Sequence, residues 1–202
     1  QYYQEFNWNI HQLFPKAKHN KHSLLVSLPV MHQQMQYSQG DASQTRPAVN
    51  LNYALQNRYI QASAGLRKEW NQQHNIPWIP SVQAVIPLLQ MPVHVALKAS
   101  VQKAYRVPTL NELYYFPGGN DQLKPENGWN KEAGYALQWK TSGLSIEQHT
   151  YYFDRKINDW IYWLGGAIWT PHNLAKVHSR GLDMGLQMQW KWRNTQSLKL
   201  HT

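Results

Sequence analysis

Residues 182–192 read Leu-Asp-Met-Gly-Leu-Gln-Met-Gln-Trp-Lys-Trp, with an apolar residue at every second position. An α-helix repeats every 3.6 residues and would scatter these side chains around its surface, whereas a β-strand places alternate side chains on opposite faces. The stretch therefore predicts a strand with one apolar face and one polar face. The same alternation recurs elsewhere in the chain, at residues 2–10, 24–30, 82–88, 93–101 and 129–139.

The alternation predicts an all-β protein of about ten strands. Residues 48–70 are expected to hold two of them, separated at Asn57-Arg58, although residues 53–66 also fit an amphipathic helix. Four spans are expected to be consecutive antiparallel strands of one sheet, namely residues 93–104, 129–139, 144–156 and 177–192.

The predicted connections alternate between short and long. The short ones lie near residues 15–21, 57–58, 89–92, 140–143 and 193–196, and the long ones lie near residues 38–47, 71–78, 107–127 and 158–174. An up-and-down meander with turns on one rim and loops on the other is typical of outer-membrane barrels. Trp139, Trp190 and Trp192 adjoin short turns, which suits an aromatic girdle.

The composition agrees with a membrane protein that crosses the bilayer with β-strands. Apolar residues make up 42% of the 202 residues, yet the mean hydropathy is −0.65, so the apolar side chains must be concentrated on particular faces. No apolar run approaches the roughly 20 residues that a membrane helix needs. The polar side chains at the inward-facing positions of the strands would crowd a narrow lumen. The sequence therefore favours a wide barrel.

A specific motif lies between two of the predicted strands. Residues 104–114 read Ala-Tyr-Arg-Val-Pro-Thr-Leu-Asn-Glu-Leu-Tyr, followed by Gly118-Gly119-Asn120 and by Leu123-Lys124-Pro125-Glu126. Over roughly residues 58–192 the chain resembles the barrel domain of TonB-dependent receptors. The matching positions are Arg106, Pro108, Leu110, Glu112, Leu113, Gly119, Asn120, Leu123, Pro125, Glu126, Asp159 and Gly181. Asp121 and Asp183 depart from the usual Pro and Glu.

This resemblance implies a transmembrane barrel of about 22 strands in the outer membrane of a Gram-negative bacterium. It implies import of an iron-siderophore, haem or cobalamin, contact with membrane lipid and lipopolysaccharide, and coupling to TonB through an amino-terminal plug domain. No plug sequence and no signal peptide are recognisable. Residues 1–202 are therefore expected to be a partial barrel domain truncated at both ends, with no cofactor of its own.

Two groups of residues are candidates for the functional site. Pro108 cannot donate to a strand ladder and Gly118-Gly119-Asn120 favours a turn, so the motif predicts a structured loop with an architectural role. The expected loop at residues 158–174 is rich in rings, which are candidates for stacking on a flat ligand. The residues predicted to contact ligand are Trp163, Trp169, Tyr115 and Phe116. The alternative is that these rings pack on neighbouring loops or form the outer girdle.

Other chemistries find less support. His19-x-x-His22 and the remaining histidines show no convergent ligand set, so no metal site is predicted. No Gly-x-Ser-x-Gly elbow occurs, and the chain is not expected to be an enzyme. The formal charge of +9 keeps a basic, aromatic-rich nucleic-acid-binding β domain as one alternative, although nucleic acid is not an expected partner. A passive porin-like channel is the other alternative, since it shares the wall but lacks the motif.

Overall fold

In the part of the chain that the structure describes, ten strands form one antiparallel sheet in which each strand pairs with the next. The computed structural model describes residues 2–13, 20–38, 40–89, 92–193 and 196–201. The elements are β1 (Tyr2–Leu13), β2 (Lys21–Tyr37), β3 (Gly40–Gln56), β4 (Gln61–Glu69), β5 (Ile79–Leu89), β6 (Val93–Arg106), α1 (Leu110–Tyr114), β7 (Glu126–Lys140), β8 (Leu144–Leu164), β9 (Thr170–Arg193) and β10 (Gln196–His201). In the described ranges, no helix is long and apolar enough to cross a membrane.

This topology confirms the predicted up-and-down meander. The four spans expected to be consecutive antiparallel strands are β6, β7, β8 and β9. The helical alternative for residues 53–66 is wrong, because Tyr53 pairs with Ala64 across the β3–β4 hairpin. Three predicted short turns, at 15–21, 89–92 and 193–196, fall partly on residues outside the described ranges.

Two of the four predicted long loops are instead strand hairpins. β2 ends at Tyr37 and β3 begins at Gly40, so the loop expected at 38–47 is wrong. β8 ends at Leu164 and β9 begins at Thr170, so the loop expected at 158–174 is wrong. Cross-strand pairing continues there between polar and aromatic side chains, such as Gln33 with Gln44 and Tyr162 with His172. The other two long loops are present at residues 70–78 and 107–125.

All four of these connections lie at the same edge of the meander, which we call the loop rim. The opposite edge, with the turns that include residues 57–60 and 141–143, is the turn rim. The predicted alternation of connections between two rims is therefore confirmed. Two of the connections at the loop rim are hairpins of extended strands instead of long loops.

The two faces of the sheet differ in burial. Every buried strand residue of the described ranges lies on the face against which residues 107–125 fold, and examples are Met35, Ala48, Ile157 and Ile161. We call this the lumenal face. The opposite, outer face carries the apolar stripe of β9, where Leu182 is 63% and Met184 is 68% exposed.

Strand register carries the outer apolar stripe across the sheet. Residues directly opposite each other in an antiparallel pair share a face. Leu182 pairs with Tyr152, Val101 pairs with Val82, and Trp8 pairs with Leu28, so apolar residues of β9, β6 and β1 all lie on the outer face. The stripe is interrupted on β8, where Gln148 and Thr150 hydrogen-bond to each other at 2.7 Å.

The lumenal face of β2–β4 carries a hydrogen-bonded polar network. Asn50 donates to Ser27 Oγ at 2.8 Å and accepts from Arg67 Nη1 at 3.1 Å. Glu69 accepts from Arg67 Nη2 at 2.5 Å and lies 3.5 Å from Arg46 Nη1. The lumenal face of these strands is therefore polar, and its Arg67 and Glu69 are paired with each other.

Candidate functional site

A one-turn helix follows the last residues of β6 and opens the segment that folds over the lumenal face. Thr109 caps α1: its hydroxyl accepts from the Glu112 amide at 3.2 Å, and the Glu112 carboxylate accepts from the Thr109 amide at 2.8 Å. This reciprocal capping box satisfies amides that a helix end leaves free. So short a helix is not stable by itself, and it is held by the burial of Leu110 and Leu113.

Arg106 lies between two largely buried carboxylates. Its Nη1 donates to both oxygens of Glu112, at 3.0 and 2.9 Å, and its Nη2 donates to Glu126 at 2.6 Å. Glu126 also accepts from the backbone amide of Ile161 at 2.8 Å. One guanidinium therefore joins β6, α1, β7 and β8, and it supplies the counter-charge that the buried carboxylates require.

The segment is next attached to the β8–β9 hairpin by side-chain amides. Asn120 donates to the Pro171 carbonyl at 2.9 Å. Asn173 accepts from the Lys124 amide at 2.8 Å and donates to the carbonyls of Lys124, at 2.9 Å, and Asp159, at 2.7 Å. Asp159 has a φ of 54°, a left-handed conformation that Asp tolerates better than most residues. These contacts fix the path of residues 120–125 against two strands.

A glycine allows the closest approach of the segment to that hairpin. A Cβ atom built on Gly118 would lie 1.9 Å from the carbonyl oxygen of Trp169, which leaves no room for any side chain. Gly166, on the same rim, has nothing within 4 Å of the corresponding position. The close contact with Trp169 therefore requires glycine at position 118, whereas no contact requires glycine at position 166.

The other end of α1 reaches the far side of the sheet. The ring of Tyr114 stacks on Tyr37 of β2, with centroids 5.6 Å apart and an interplanar angle of 19°. Gln73, in the loop after β4, donates to the Tyr114 hydroxyl at 3.3 Å. Residues 107–125 thus cross the lumenal face from β8–β9 to β2, and we call them the crossing segment.

Exposed rings gather where the crossing segment meets the loop rim. Tyr115 contacts half-buried Trp163 edge to face at 5.9 Å, while Phe116 is 58% and Trp169 is 60% exposed. A cavity of about 410 Å³ opens beside them, lined by Tyr37, Leu113, Tyr114, Tyr115, Phe116, Pro117, Gly119 and Asp121. The structure therefore places Tyr115 and Phe116 in this cavity, with Trp163 adjoining through Tyr115. Trp160 lies on the outer face instead.

Sequence reasoning missed Tyr37 and Tyr114 as parts of this site. Each is a single aromatic at the end of an element, and no local pattern links two residues so far apart in the chain. The abundance of Tyr and Trp, twelve and ten residues, indicated only that amphipathic rings lie at a membrane boundary.

The loop at residues 70–78 is a second structured part of the loop rim. Asn71 accepts from the backbone amides of Gln73, at 2.8 Å, and His74, at 3.0 Å. Burial lowers the pKa of His74 below its usual 6.5. The neutral imidazole is therefore favoured in the folded loop, and folding is penalised as the pH falls below about 6.5. Within the described ranges, no three His, Asp or Glu side chains are placed to share a metal ion.

The family of the chain follows from its match to a model of a known protein family. Residues 6–200 match the model of the TonB dependent receptor-like β-barrel. The chain belongs to this family. Its members are transporters, which agrees with the expectation that the chain is not an enzyme. The resemblance predicted from the motif at residues 104–126 is thereby confirmed.

The individual relatives of this TonB-dependent barrel chain either align with only part of it or share little sequence identity with it. The Vitamin B12 transporter BtuB of Vibrio vulnificus (strain YJ016) is 30% identical over 95 residues, which is 45% of this chain and 15% of the transporter. The siderophore receptor PirA of Pseudomonas aeruginosa has a TM-score of 0.75 at 15% identity, over 98% of this chain and 45% of PirA.

A third relative is the hemophore receptor HasR of Serratia marcescens, solved with its hemophore HasA and heme. It has a TM-score of 0.76 at 13% identity, over 94% of this chain and 39% of HasR. At such identities these structures show the shared fold alone. The chain spans less than half the length of each relative.

Proposed function

We propose that this chain is a section of the wall of an outer-membrane receptor that imports a scarce, bulky nutrient. The observation that carries the proposal is the crossing segment, which folds back over a polar lumenal face and presents exposed rings at the loop rim. A wall built this way has lipid on its outer face, a substrate path on its lumenal face, and a capture surface at one rim.

The remaining parts of the receptor are proposed from the family. β1 and β10 are the edge strands of the described sheet. Edge strands have unpaired backbone groups that can hydrogen-bond to further strands. We propose that further strands complete a barrel of about 22 and that a plug, supplied by sequence outside these residues, couples it to TonB.

The transported ligand is proposed to be an iron-siderophore, haem or cobalamin. The names of the relatives support this range: one transports vitamin B12, one is a siderophore receptor, and one was solved with heme. Each of these ligands presents a flat or apolar surface on which aromatic side chains pack well.

The rings at the loop rim supply a direct test of capture. In the full-length receptor, we expect Trp163→Ala with Trp169→Ala to weaken ligand binding by about tenfold, since one buried aromatic contact contributes about 0.5–1.5 kcal/mol. Trp160→Ala is the matched control, because Trp160 belongs to the same hairpin but faces outward. Affinity is measured for ferric enterobactin, haem and cyanocobalamin, together with surface expression.

Two outcomes would contradict this role. Unchanged affinity at normal surface expression would exclude Trp163 and Trp169 from the ligand site. Lost surface expression would assign both rings to the architecture of the rim.

The two alternative functions have less support. A nucleic-acid-binding β domain is disfavoured because the chain belongs to the TonB-dependent family, and because Arg46, Arg67 and Arg106 of the lumenal face are paired with carboxylates instead of being free for phosphates. A passive porin is disfavoured because the chain belongs to the TonB-dependent family.

A further inference from the structure

The cavity beside the crossing segment combines aromatic rings with a single carboxylate. Its volume is about 410 Å³, and its rings belong to Tyr37, Tyr114, Tyr115 and Phe116. Asp121 is the one charged residue among the described residues that line it. We call this space the ring cavity. The face of an aromatic ring carries partial negative charge, so rings beside a carboxylate favour an organic cation.

Contacts between rings hold part of the cavity wall in place. Tyr114 stacks on Tyr37 with an interplanar angle of 19°, and Tyr115 meets Trp163 edge to face at 81°. Tyr115 is nevertheless 48% exposed, and Phe116 is 58% exposed. A ring that is already held by its neighbours loses little conformational entropy when a ligand packs on its exposed surface.

Hydrogen bonds on both sides of Asp121 fix its position at the ring cavity. The Asn120 amide donates to the Glu112 carbonyl at 2.9 Å, and the Asn120 side chain donates to the Pro171 carbonyl at 2.9 Å. The Gln122 amide donates to Asn120 Oδ1 at 3.0 Å. The Asp121 carboxylate is exposed, accepts from Gln122 Nε2 at 3.3 Å and forms no ion pair within the described ranges. No cation of the described chain therefore neutralises its charge.

The lumenal arginines at the loop rim are already engaged. Arg46, Arg67 and Arg106 each pair with a glutamate. Lys124 is the one cation of the crossing segment, and it does not line the ring cavity. The formal charge of +9 on the whole chain thus brings no free cation to this site. An anionic ligand would meet the ring faces and the Asp121 carboxylate, both of which repel it.

The carboxylate belongs to this chain and not to the motif around it. Asp121 stands at one of the two positions where the sequence departs from the motif, whereas Arg106 and Glu112, which hold the crossing segment, follow it. A charge added at an exposed position on a fixed scaffold alters which ligand is accepted without altering the fold.

We propose that the ring cavity binds a cationic group of the imported ligand, such as a protonated amine. This inference rests on the proposed function, since it takes the loop rim as the surface that captures ligand. The ammonium lies against the exposed rings of Tyr115 and Phe116, and Asp121 supplies the counter-charge. Among the proposed ligands, the cavity therefore selects a chelate that carries an amine over haem and ferric enterobactin, which are anionic.

The test compares two probes that differ by one charge. Ferrioxamine B is an iron chelate with a pendant ammonium, and N-acetyl-ferrioxamine B carries a neutral amide in its place. Each is titrated up to millimolar concentration into the full-length receptor, purified in detergent, and quenching of tryptophan fluorescence reports binding. The two probes share one iron chromophore, so they quench equally when bound.

Three variants separate charge from shape. Asp121→Asn removes the carboxylate charge and keeps the size of the side chain. Asp41→Asn is the matched control, because Asp41 is another exposed carboxylate of the loop rim but lies opposite Gln36, on the outer face. Tyr115→Leu with Phe116→Leu removes the two exposed rings and keeps an apolar surface. Heat-modifiable mobility on gels checks that each variant is folded.

We expect the unaltered receptor to bind ferrioxamine B about tenfold more tightly than N-acetyl-ferrioxamine B. An exposed ion pair and an exposed cation–π contact each contribute less than a factor of ten. Asp121→Asn and the double leucine variant are therefore each expected to weaken ferrioxamine B about fivefold, and the neutral probe by less than about twofold. Asp41→Asn is expected to leave both affinities within about twofold, and added salt is expected to narrow the gap between the probes.

Three results would overturn the proposal: no saturable binding of ferrioxamine B, equal affinity for the two probes, or equal effects of Asp121→Asn and Asp41→Asn. Uptake by cells separates it from the proposed function. Uptake of ferric enterobactin or haem without uptake of ferrioxamine B would overturn the charge preference and support the receptor. Uptake of no chelate or cobalamin by a folded receptor would contradict the proposed function, while probe binding would still decide the role of the ring cavity.

Discussion

Replacing Leu186 with Arg is expected to destabilise the folded receptor by about 2–4 kcal/mol, because Leu186 lies near the middle of the outer apolar stripe. The same replacement at the next residue, Gln187, is expected to cost less than about 1 kcal/mol. Gln187 points to the lumenal face, opposite Glu147, so a new cation there has water and a carboxylate beside it. The two variants differ by one position and share the added residue.

Both variants are to be made in the full-length receptor and unfolded with urea in lipid vesicles, followed by tryptophan fluorescence. Heat-modifiable mobility on gels reports the folded fraction independently. Equal destabilisation by the two changes, or a larger effect at Gln187, would contradict the assignment of the two faces.

Removal of Arg106 is the second change expected to have a large effect. Arg106→Ala leaves Glu112 and Glu126 unpaired in a largely buried environment, where loss of one partner of a fully buried pair costs about 3–5 kcal/mol. The Arg106 side chain is 40% exposed, so water offsets part of this cost, and we expect about 2–3 kcal/mol. The crossing segment is expected to detach from the lumenal face and become sensitive to trypsin at Lys124.

Arg155→Ala is the matched control for Arg106. Arg155 also pairs with a glutamate, Glu132, at 3.1 Å, but both side chains of that pair are well exposed, so its loss is expected to cost under about 1 kcal/mol. In Arg106→Ala, an added Glu112→Gln change is expected to recover part of the stability, because it removes one unpaired charge. Equal protease sensitivity in the Arg106 and Arg155 variants would contradict the role of Arg106 in holding the crossing segment on the lumenal face.

The extent to which the sequence predicts this fold depends on the kind of interaction involved. The β6–β9 meander was predictable because burial of one face imposes a strict period of two on residues such as Leu182 and Met184. The β2–β3 and β8–β9 hairpins rise beyond the apolar stripe, where pairs such as Gln33 with Gln44 carry no hydrophobic alternation. The strands pair there because the hydrogen-bonded ladder extends cooperatively from the apolar part of the same strands. A local sequence pattern does not reveal such an extension.

The candidate site was predictable only in part. The motif with Arg106, Glu112 and Glu126 indicated a structured loop, but the ion pairs that join these residues depend on the three-dimensional path of the crossing segment. The stacking of Tyr37 on Tyr114 is a long-range contact with no signal in either local stretch. The ligand roles of Trp163, Trp169, Tyr115 and Phe116 stay predictions.

The central claim is that one face of this wall contacts lipid and the other lines the lumen. The described chain has no cysteine, so single cysteines can be placed one at a time at residues 182–188 of a cysteine-free full-length receptor in membranes and treated with a water-soluble maleimide. We predict that positions 183, 185 and 187 react and that positions 182, 184, 186 and 188 react only after the membrane is dissolved in detergent. Uniform reactivity along the stretch, or reactivity with the opposite parity, would contradict a lipid-facing barrel wall.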